Sequence, residues 1–185
     1  QDQTIRRTTA GGQSWQKVYE DIEAEQPLFD VLYRDAEHAF AIGAYGAFLE
    51  TLDGGESWEY RPISEEDMHL NQIVVDGNRL FIAAEAGTLY RSDDDGESWD
   101  ILAPHYEGSF FGGLPLGNNS LLLFGLRGNL FRSEDASDNC SQLDSGTEAS
   151  LTSSLKLADG TLVISGLGGV FMTRNDAGET FALHQ

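Results

Sequence analysis

The chain has 185 residues, 40% of them hydrophobic and 10% aromatic, which is enough apolar material for a buried core and a length of one to two domains. Eleven basic residues stand against 31 acidic ones, and the formal charge of −20 repels phosphate backbones and anionic lipid surfaces, which argues against nucleic-acid binding. The single cysteine, Cys140, permits neither an internal disulfide nor a cysteine zinc site, and no apolar run reaches the roughly 20 residues of a membrane-spanning helix.

The chain opens on Gln1 with no signal-peptide core, so residues ahead of it are expected to have been removed. Thr4-Ile5-Arg6-Arg7-Thr8 leads into Thr8-Thr9-Ala10-Gly11-Gly12-Gln13-Ser14-Trp15, and this ending recurs along the sequence. Thr51-Leu52-Asp53-Gly54-Gly55-Glu56-Ser57-Trp58 and Ser92-Asp93-Asp94-Asp95-Gly96-Glu97-Ser98-Trp99 share the pattern S/T-x-D-x-G-x-S/T-W. Ser133-Glu134-Asp135-Ala136-Ser137-Asp138-Asn139-Cys140 keeps the serine and aspartate but loses the glycine and the aromatic. Asp176-Ala177-Gly178-Glu179-Thr180-Phe181 keeps the core of the pattern with phenylalanine at its end.

The aromatic ends Trp15, Trp58, Trp99 and Phe181 are separated by 43, 41 and 82 residues, and 82 is twice 41. Four further columns advance by 41 at each step: Leu32, Ile73, Leu114, Leu155; Gly43, Ala84, Gly125, Gly166; Gly46, Gly87, Gly128, Gly169; and Phe48, Leu89, Leu130, Phe171. Such a fixed period is the mark of a repeat architecture.

Each unit predicts four short strands. The first ends on the Leu32 column, and a turn such as Asp76-Gly77-Asn78, Gly117-Asn118-Asn119 or Asp159-Gly160-Thr161 follows, with residues suited to positive φ. The second is continuously apolar, as in Leu121-Leu122-Leu123-Phe124, which implies cover on both faces. The Gly46 column then turns the chain into a third strand that ends at the aspartate motif, and a more polar fourth strand such as Trp58-Glu59-Tyr60-Arg61 forms an outer edge. Four strands per 41 residues fit an all-β propeller of four-stranded antiparallel blades better than a solenoid. The blades are expected at 26–66, 67–107, 108–148 and 149–185, with 1–25 ending a preceding blade. Starting in mid-blade leaves three closures open: a larger ring of which this is part, closure through a second copy, or N-terminal strands completing the last blade of a small ring. The first is preferred.

The motif explains its own residue types. An aspartate in a turn accepts backbone N–H bonds, the glycine supplies a left-handed conformation, the hydroxyl bonds across the turn, and the aromatic fills the space between units. Asp53, Gly55, Ser57, Trp58, Asp94, Gly96, Ser98, Trp99, Asp135, Asp176, Gly178, Thr180 and Phe181 are therefore read as structural. A calcium loop at 92–97 is disfavoured because Arg91 stands where a ligand would be needed.

These residues resemble the BNR or Asp-box repeats of sialidases, sortilin-type receptors and the photosystem II stability/assembly factor family. The segment from His38 to Trp58, with its G-x-x-G spacing and T-x-D-G-G-x-S-W ending, is most similar to the last of these. That resemblance implies a non-enzymatic propeller outside the cytoplasm, in the periplasm or an equivalent space, that helps assemble a membrane complex and binds a protein partner without cofactor or metal. Photosynthetic members are described with a basic surface patch, whereas this chain is strongly acidic.

The alternative is a sialidase-like glycoside hydrolase or carbohydrate-binding module, which needs an arginine cluster, a tyrosine–glutamate pair and an acid/base aspartate. Arg91 and Arg132 share one repeat column, and neither Tyr45 nor Tyr90 lies beside a distinctive glutamate. His38, His69, His105 and His184 share no column and read as surface residues; Phe110, Phe111 and Tyr33 read as core, and Cys140 as a small buried hydrophobe. Positions that break the repeat are the best candidates for a partner: the hairpin-tip residues Tyr45 and Arg127, and the acidic stretches 20–25 and 64–67. Self-association through an unclosed ring is a further expectation.

Overall fold

The computed structural model describes residues 3–136, 139–174 and 180–184. Among the described residues every regular element is a strand apart from three single 3₁₀ turns, at Ala44–Gly46, Leu126–Gly128 and Leu167–Gly169. Strands β1 (Gln3–Arg7) and β2 (Gln16–Asp21) form a two-stranded sheet. Four four-stranded sheets follow in chain order: β3 (Leu28–Tyr33), β4 (Ala39–Gly43), β5 (Phe48–Thr51), β6 (Glu59–Tyr60); β7 (Leu70–Asp76), β8 (Arg79–Ala84), β9 (Leu89–Ser92), β10 (Asp100–Leu102); β11 (Phe110–Gly117), β12 (Ser120–Gly125), β13 (Leu130–Ser133), β14 (Cys140–Leu143); and β15 (Leu151–Lys156), β16 (Leu162–Gly166), β17 (Phe171–Arg174), β18 (Ala182–His184). In each, sequential strands are neighbours, the up-and-down arrangement of a propeller blade. The chain divides into two compact units, 1–73 and 74–185, the division falling inside β7.

Continuous apolar second strands do receive cover on both faces. Every residue of β4 and β12 is buried, as are Leu80–Ala84 of β8. In β16 only Leu162 and Ile164 are buried. The fourth strands are mostly exposed and polar, which suits an edge with unpaired backbone groups. The Leu32 column does not end the first strands: they run on to Tyr33, Asp76, Gly117 and Lys156, since pairing continues to the turn residues themselves. Gly77, Asn118, Asn119 and Gly160 do turn with positive φ.

Apolar clusters lie between sheets. In the first unit Ala39, Ala41, Leu49 and Trp58 pack against Ile5, Val18 and Tyr19 of the β1–β2 pair. In the second, Phe81, Leu89 and Phe110 meet Leu121, Leu123 and Phe131, while Leu114, Leu122, Phe124 and Leu130 meet Leu151, Ile164 and Met172. Each such side chain contributes about 1.5–3 kcal/mol when fully buried. At the tips the second-unit glycines Gly87 and Gly128 hold φ of 70° and 72°, and a Cβ on either would collide with the carbonyl of Tyr106 or Thr147.

Three aromatic and sulfur expectations change. Tyr33 is not core: it sits on the uncovered face of β3, 48% exposed, and its hydroxyl donates to Gly54 O at 3.3 Å. Phe110 is fully buried, whereas Phe111, one residue along on the opposite strand face, is half-buried. Cys140 is also only half-buried, at the margin of its cluster.

Candidate functional site

The motif loops are built from their own side chains. Thr51 Oγ1 donates to Asp53 Oδ1 at 2.7 Å and accepts the Gly55 N–H at 2.9 Å. Asp53 Oδ1 also accepts the N–H groups of Glu56 and Ser57, and Oδ2 accepts the Ser57 hydroxyl at 2.6 Å. The second loop repeats this: Ser92 Oγ donates to Asp94 at 2.8 Å and accepts the Gly96 N–H, and Ser98 donates to Asp94 through its N–H and its hydroxyl. The Ser57 hydroxyl, then the Ser57 N–H and the Thr51 hydroxyl, hold the Asp53 carboxyl well below the usual carboxylate range. The Ser98 hydroxyl and N–H, with the Ser92 hydroxyl, bring Asp94 down to about 2. A carboxylate whose lone pairs are taken by its own loop is a poor base for substrate chemistry.

The other copies differ. Ser133 Oγ donates to Asp135 Oδ1 at 3.2 Å, and residues 137 and 138 lie outside the described chain. Asp176 and Gly178 also lie outside it, whereas Thr180 is exposed and Phe181 packs on its cluster beneath the Arg174 guanidinium. Trp58 is buried and Trp99 half-buried.

The hairpin tips form a second set. Tyr45, Ala86, Arg127 and Gly168 occupy one repeat column, and all are left-handed, with φ of 52°, 54°, 55° and 72°. In the first unit the exposed Tyr45 donates its N–H to His69 Nδ1 at 3.2 Å, accepts from Gln26 Nε2 through its carbonyl at 2.9 Å, and sets its ring edge-on to His69 at 4.6 Å. Phe29 meets the same imidazole edge-on at 6.1 Å. In the second unit Arg127 is exposed, its N–H donates to Ser150 Oγ at 3.2 Å, and it borders a cavity of about 400 Å³ with Asn129, Gln142, Asp144 and Ser145. A groove of about 650 Å³ in the first unit runs between β1 and β3, lined by Ile5, Arg7, Trp15, Leu28, Val31 and Tyr33 among others. Asp30 on its wall has its carboxyl raised by burial, against the lowering effect of N–H bonds from Ile73 and Val31.

A family model described as photosynthesis system II assembly factor YCF48 matches residues 5–185. The chain belongs to this family. Among its relatives is the photosystem II assembly lipoprotein Ycf48 of Prochlorococcus marinus (strain MIT 9313), 33% identical over 76 residues, which are 40% of this chain and 22% of that protein. The solved structure titled "YCF48 bound to D1 peptide" superposes with a TM-score of 0.69 at 24% identity, covering 85% of this chain and 52% of that one. An ancestral GH74 enzyme superposes with a TM-score of 0.75 at 14% identity, covering 97% of this chain and 28% of that enzyme. At these identities the structural likenesses show the propeller fold alone, and this chain spans about half of the solved YCF48 chain and about a fifth of the curated relative.

In this YCF48-family chain several arginines pair with carboxylates of their own sheet. Arg91 pairs with Asp93 at 3.1 Å, Arg132 with Glu134 at 2.9 Å and Arg79 with Asp76 at 2.6 Å. Glu50 accepts from Arg61 at 2.6 Å and lies 2.9 Å from His38 Nε2. Among the described residues no group of three or more His, Cys, Asp or Glu could hold a metal ion, and no helix is long and apolar enough to cross a membrane. His69 and Gln26 were missed by sequence reasoning as supports of Tyr45: Gln26 stands in no repeat column, and the available signal for His69 was a polar ring in the column of Leu28, Phe110 and Leu151. His38 and His184 were read as plain surface residues, yet one faces Glu50 and the other stacks on Phe171 at 4.6 Å.

Proposed function

We propose that the chain is a non-catalytic scaffold that binds another protein and supports assembly of a membrane-associated complex outside the cytoplasm. The motif residues serve as structural clips, and the array forms part of a larger propeller ring. Partner binding falls to Tyr45 and Arg127. The observation that carries this is their side chains: in a tip column that is left-handed in every unit and elsewhere holds only the small Ala86 and Gly168, an exposed tyrosine and an exposed arginine are kept. Such a conformation costs a non-glycine residue about 1 kcal/mol or more and persists at sites where the side chain is used. The relative described as bound to a D1 peptide and the lipoprotein Ycf48 of Prochlorococcus marinus support a peptide-bearing, membrane-associated partner.

Tyr45→Gly and Arg127→Gly test this, since each relieves the backbone while removing the side chain. With the full chain as bait in an envelope extract, the wild type is expected to recover a membrane-complex subunit, and the variants to recover at least tenfold less despite unchanged or raised thermal midpoints. Equal recovery by both variants would remove the tips from the site. Turnover of a fluorogenic sialoside or a β-glucan oligosaccharide at ordinary enzymatic rates would overturn the scaffold reading.

A further inference from the structure

The hairpin tip at Tyr45 differs from its repeat counterparts in its ring and in the charge around it. Ala86, Arg127 and Gly168 are exposed as Tyr45 is, so exposure is a property of the column, but at Tyr45 the exposed group is aromatic. Its ring stands at 87° to the His69 imidazole with centroids 4.6 Å apart, and Phe29 braces the same imidazole at 69° and 6.1 Å. Two rings at a right angle form a corner, and the face of an aromatic ring carries partial negative charge that attracts a cation. The corner is held on both sides. Tyr45 donates its N–H to His69 Nδ1 at 3.2 Å and accepts from Gln26 Nε2 at 2.9 Å, while the neighbouring Ala44 and Gly46 N–H groups donate to Pro27 O at 2.9 Å and Met68 O at 2.8 Å. A ring whose backbone is fixed in this way loses little freedom when a ligand settles on it.

The same bonds set the tip between the two acidic stretches. Gln26 and Pro27 directly follow residues 20–25, Met68 and His69 directly follow 64–67, and a Cβ on Gly46 would lie 3.3 Å from Glu66 O. Among the described residues Glu23, Glu25, Glu65, Glu66 and Asp67 take part in no ion pair. At the Arg127 tip the aligned stretches, 105–107 and 146–149, hold only two carboxylates, Glu107 and Glu148. Carboxylates therefore gather where the tip is a ring and thin out where the tip is itself a cation, the reverse of what pairing with the tip residue would produce.

We propose that the Tyr45 tip docks an arginine-bearing segment of the partner protein, its guanidinium lying on the Tyr45 ring in the corner made with His69 and its N–H groups turned to the carboxylates of 23–25 and 64–67. Charge complementarity selects a cation, and the pairing of a ring with a carboxylate rim selects arginine among cations. A guanidinium is planar, so it stacks on a ring through its face while its five donors, all in the plane, remain for carboxylates; an ammonium is a compact, strongly hydrated charge without that division. The proposal rests on the reading of Tyr45 as a partner site and adds the chemistry of what is bound there.

A short synthetic peptide of alternating arginine, glycine and serine is the probe, with a citrulline counterpart of the same shape and no charge as its control. Added to the full chain at low salt, the arginine peptide is expected to move the amide NMR signals of Tyr45 and Gly46 to saturation, and the citrulline peptide to bind about tenfold more weakly. Tyr45→Phe keeps the ring face and should stay within about twofold of wild type, whereas Tyr45→Leu, shown to be folded by circular dichroism, should lose about threefold. Joint Glu65→Gln, Glu66→Gln and Asp67→Asn should lose about fivefold. Equal binding by the citrulline peptide, shifts spread over the acidic surface with Tyr45 and Gly46 unmoved, or full binding by folded Tyr45→Leu overturns the proposal, and tighter binding of a lysine peptide overturns the choice of guanidinium. Failure of the arginine peptide while Tyr45→Gly still lowers recovery from the envelope extract overturns the arginine occupant alone. Recovery by Tyr45→Gly equal to that of wild type overturns the partner site and the occupant together.

Discussion

The loops at 51–58 and 133–140 are the same repeat position in two conditions. The first has a complete set of internal bonds: Asp53 accepts from Thr51, Glu56 and Ser57, and Trp58 is buried. The second has lost its glycine and its aromatic. Even so, Ala136 takes φ of 54°, close to the 62° of Asp95 and the 74° of Gly54, and becomes a buried member of the adjoining cluster. The strand after the eroded loop is also better paired, with four registered positions from Leu130↔Leu143 to Ser133↔Cys140 against two in β5–β6. The left-handed turn at Ala136 is therefore held by the sheet and the packing between blades even where the glycine is lost, and the aspartate bonds of 51–58 reinforce the same turn.

The largest effect that can break this comparison lies with the aromatics. Trp58→Ala should lower stability by about 3–5 kcal/mol in urea denaturation, and Cys140→Ala by about 1 kcal/mol or less, because the second site is filled by a smaller, half-buried side chain. Similar losses at both would show that the aromatic is not what distinguishes the loops.

Next come the carboxylates. Asp53→Asn is expected to lower the thermal midpoint by several degrees, and Asp135→Asn clearly less, since Asp53 receives Ser57 through hydroxyl and N–H, and its 133–140 counterpart, Asn139, has no hydroxyl. Acid titration sharpens the same point. Asp53 and Asp94 titrate lower in the folded chain than the ordinary value of about 3.9, so the folded state binds fewer protons than the unfolded one. Their stabilisation is complete above about pH 4 and falls away as pH drops through about 2, the value of Asp94, with Asp53 releasing last. Urea midpoints measured from pH 5 to pH 2 should fall along this course, and Asp53→Asn should make the fall shallower. The smallest effect belongs to Trp15→Ala, expected within about 0.5 kcal/mol because the ring is exposed.

Much of the blade was legible in the sequence because its signals are local and repeated. The 41-residue columns, the Gly77 and Gly160 turns and the apolar runs of β4, β8 and β12 each have a physical meaning inside one unit. The misreadings concern neighbours. Tyr33 lies in an alternating strand that sequence reasoning assumes is covered, and His69 supports Tyr45 from 24 positions away without a periodic relation to it.

Sequence alone determined the repeat, the blade and the family, since period, turn chemistry and strand pattern are properties of 41 consecutive residues. Only the tertiary structure decided which faces of those blades are covered. Burial depends on what stands on the far side of a strand, so the same column is sealed at Gly113 and open at Val31.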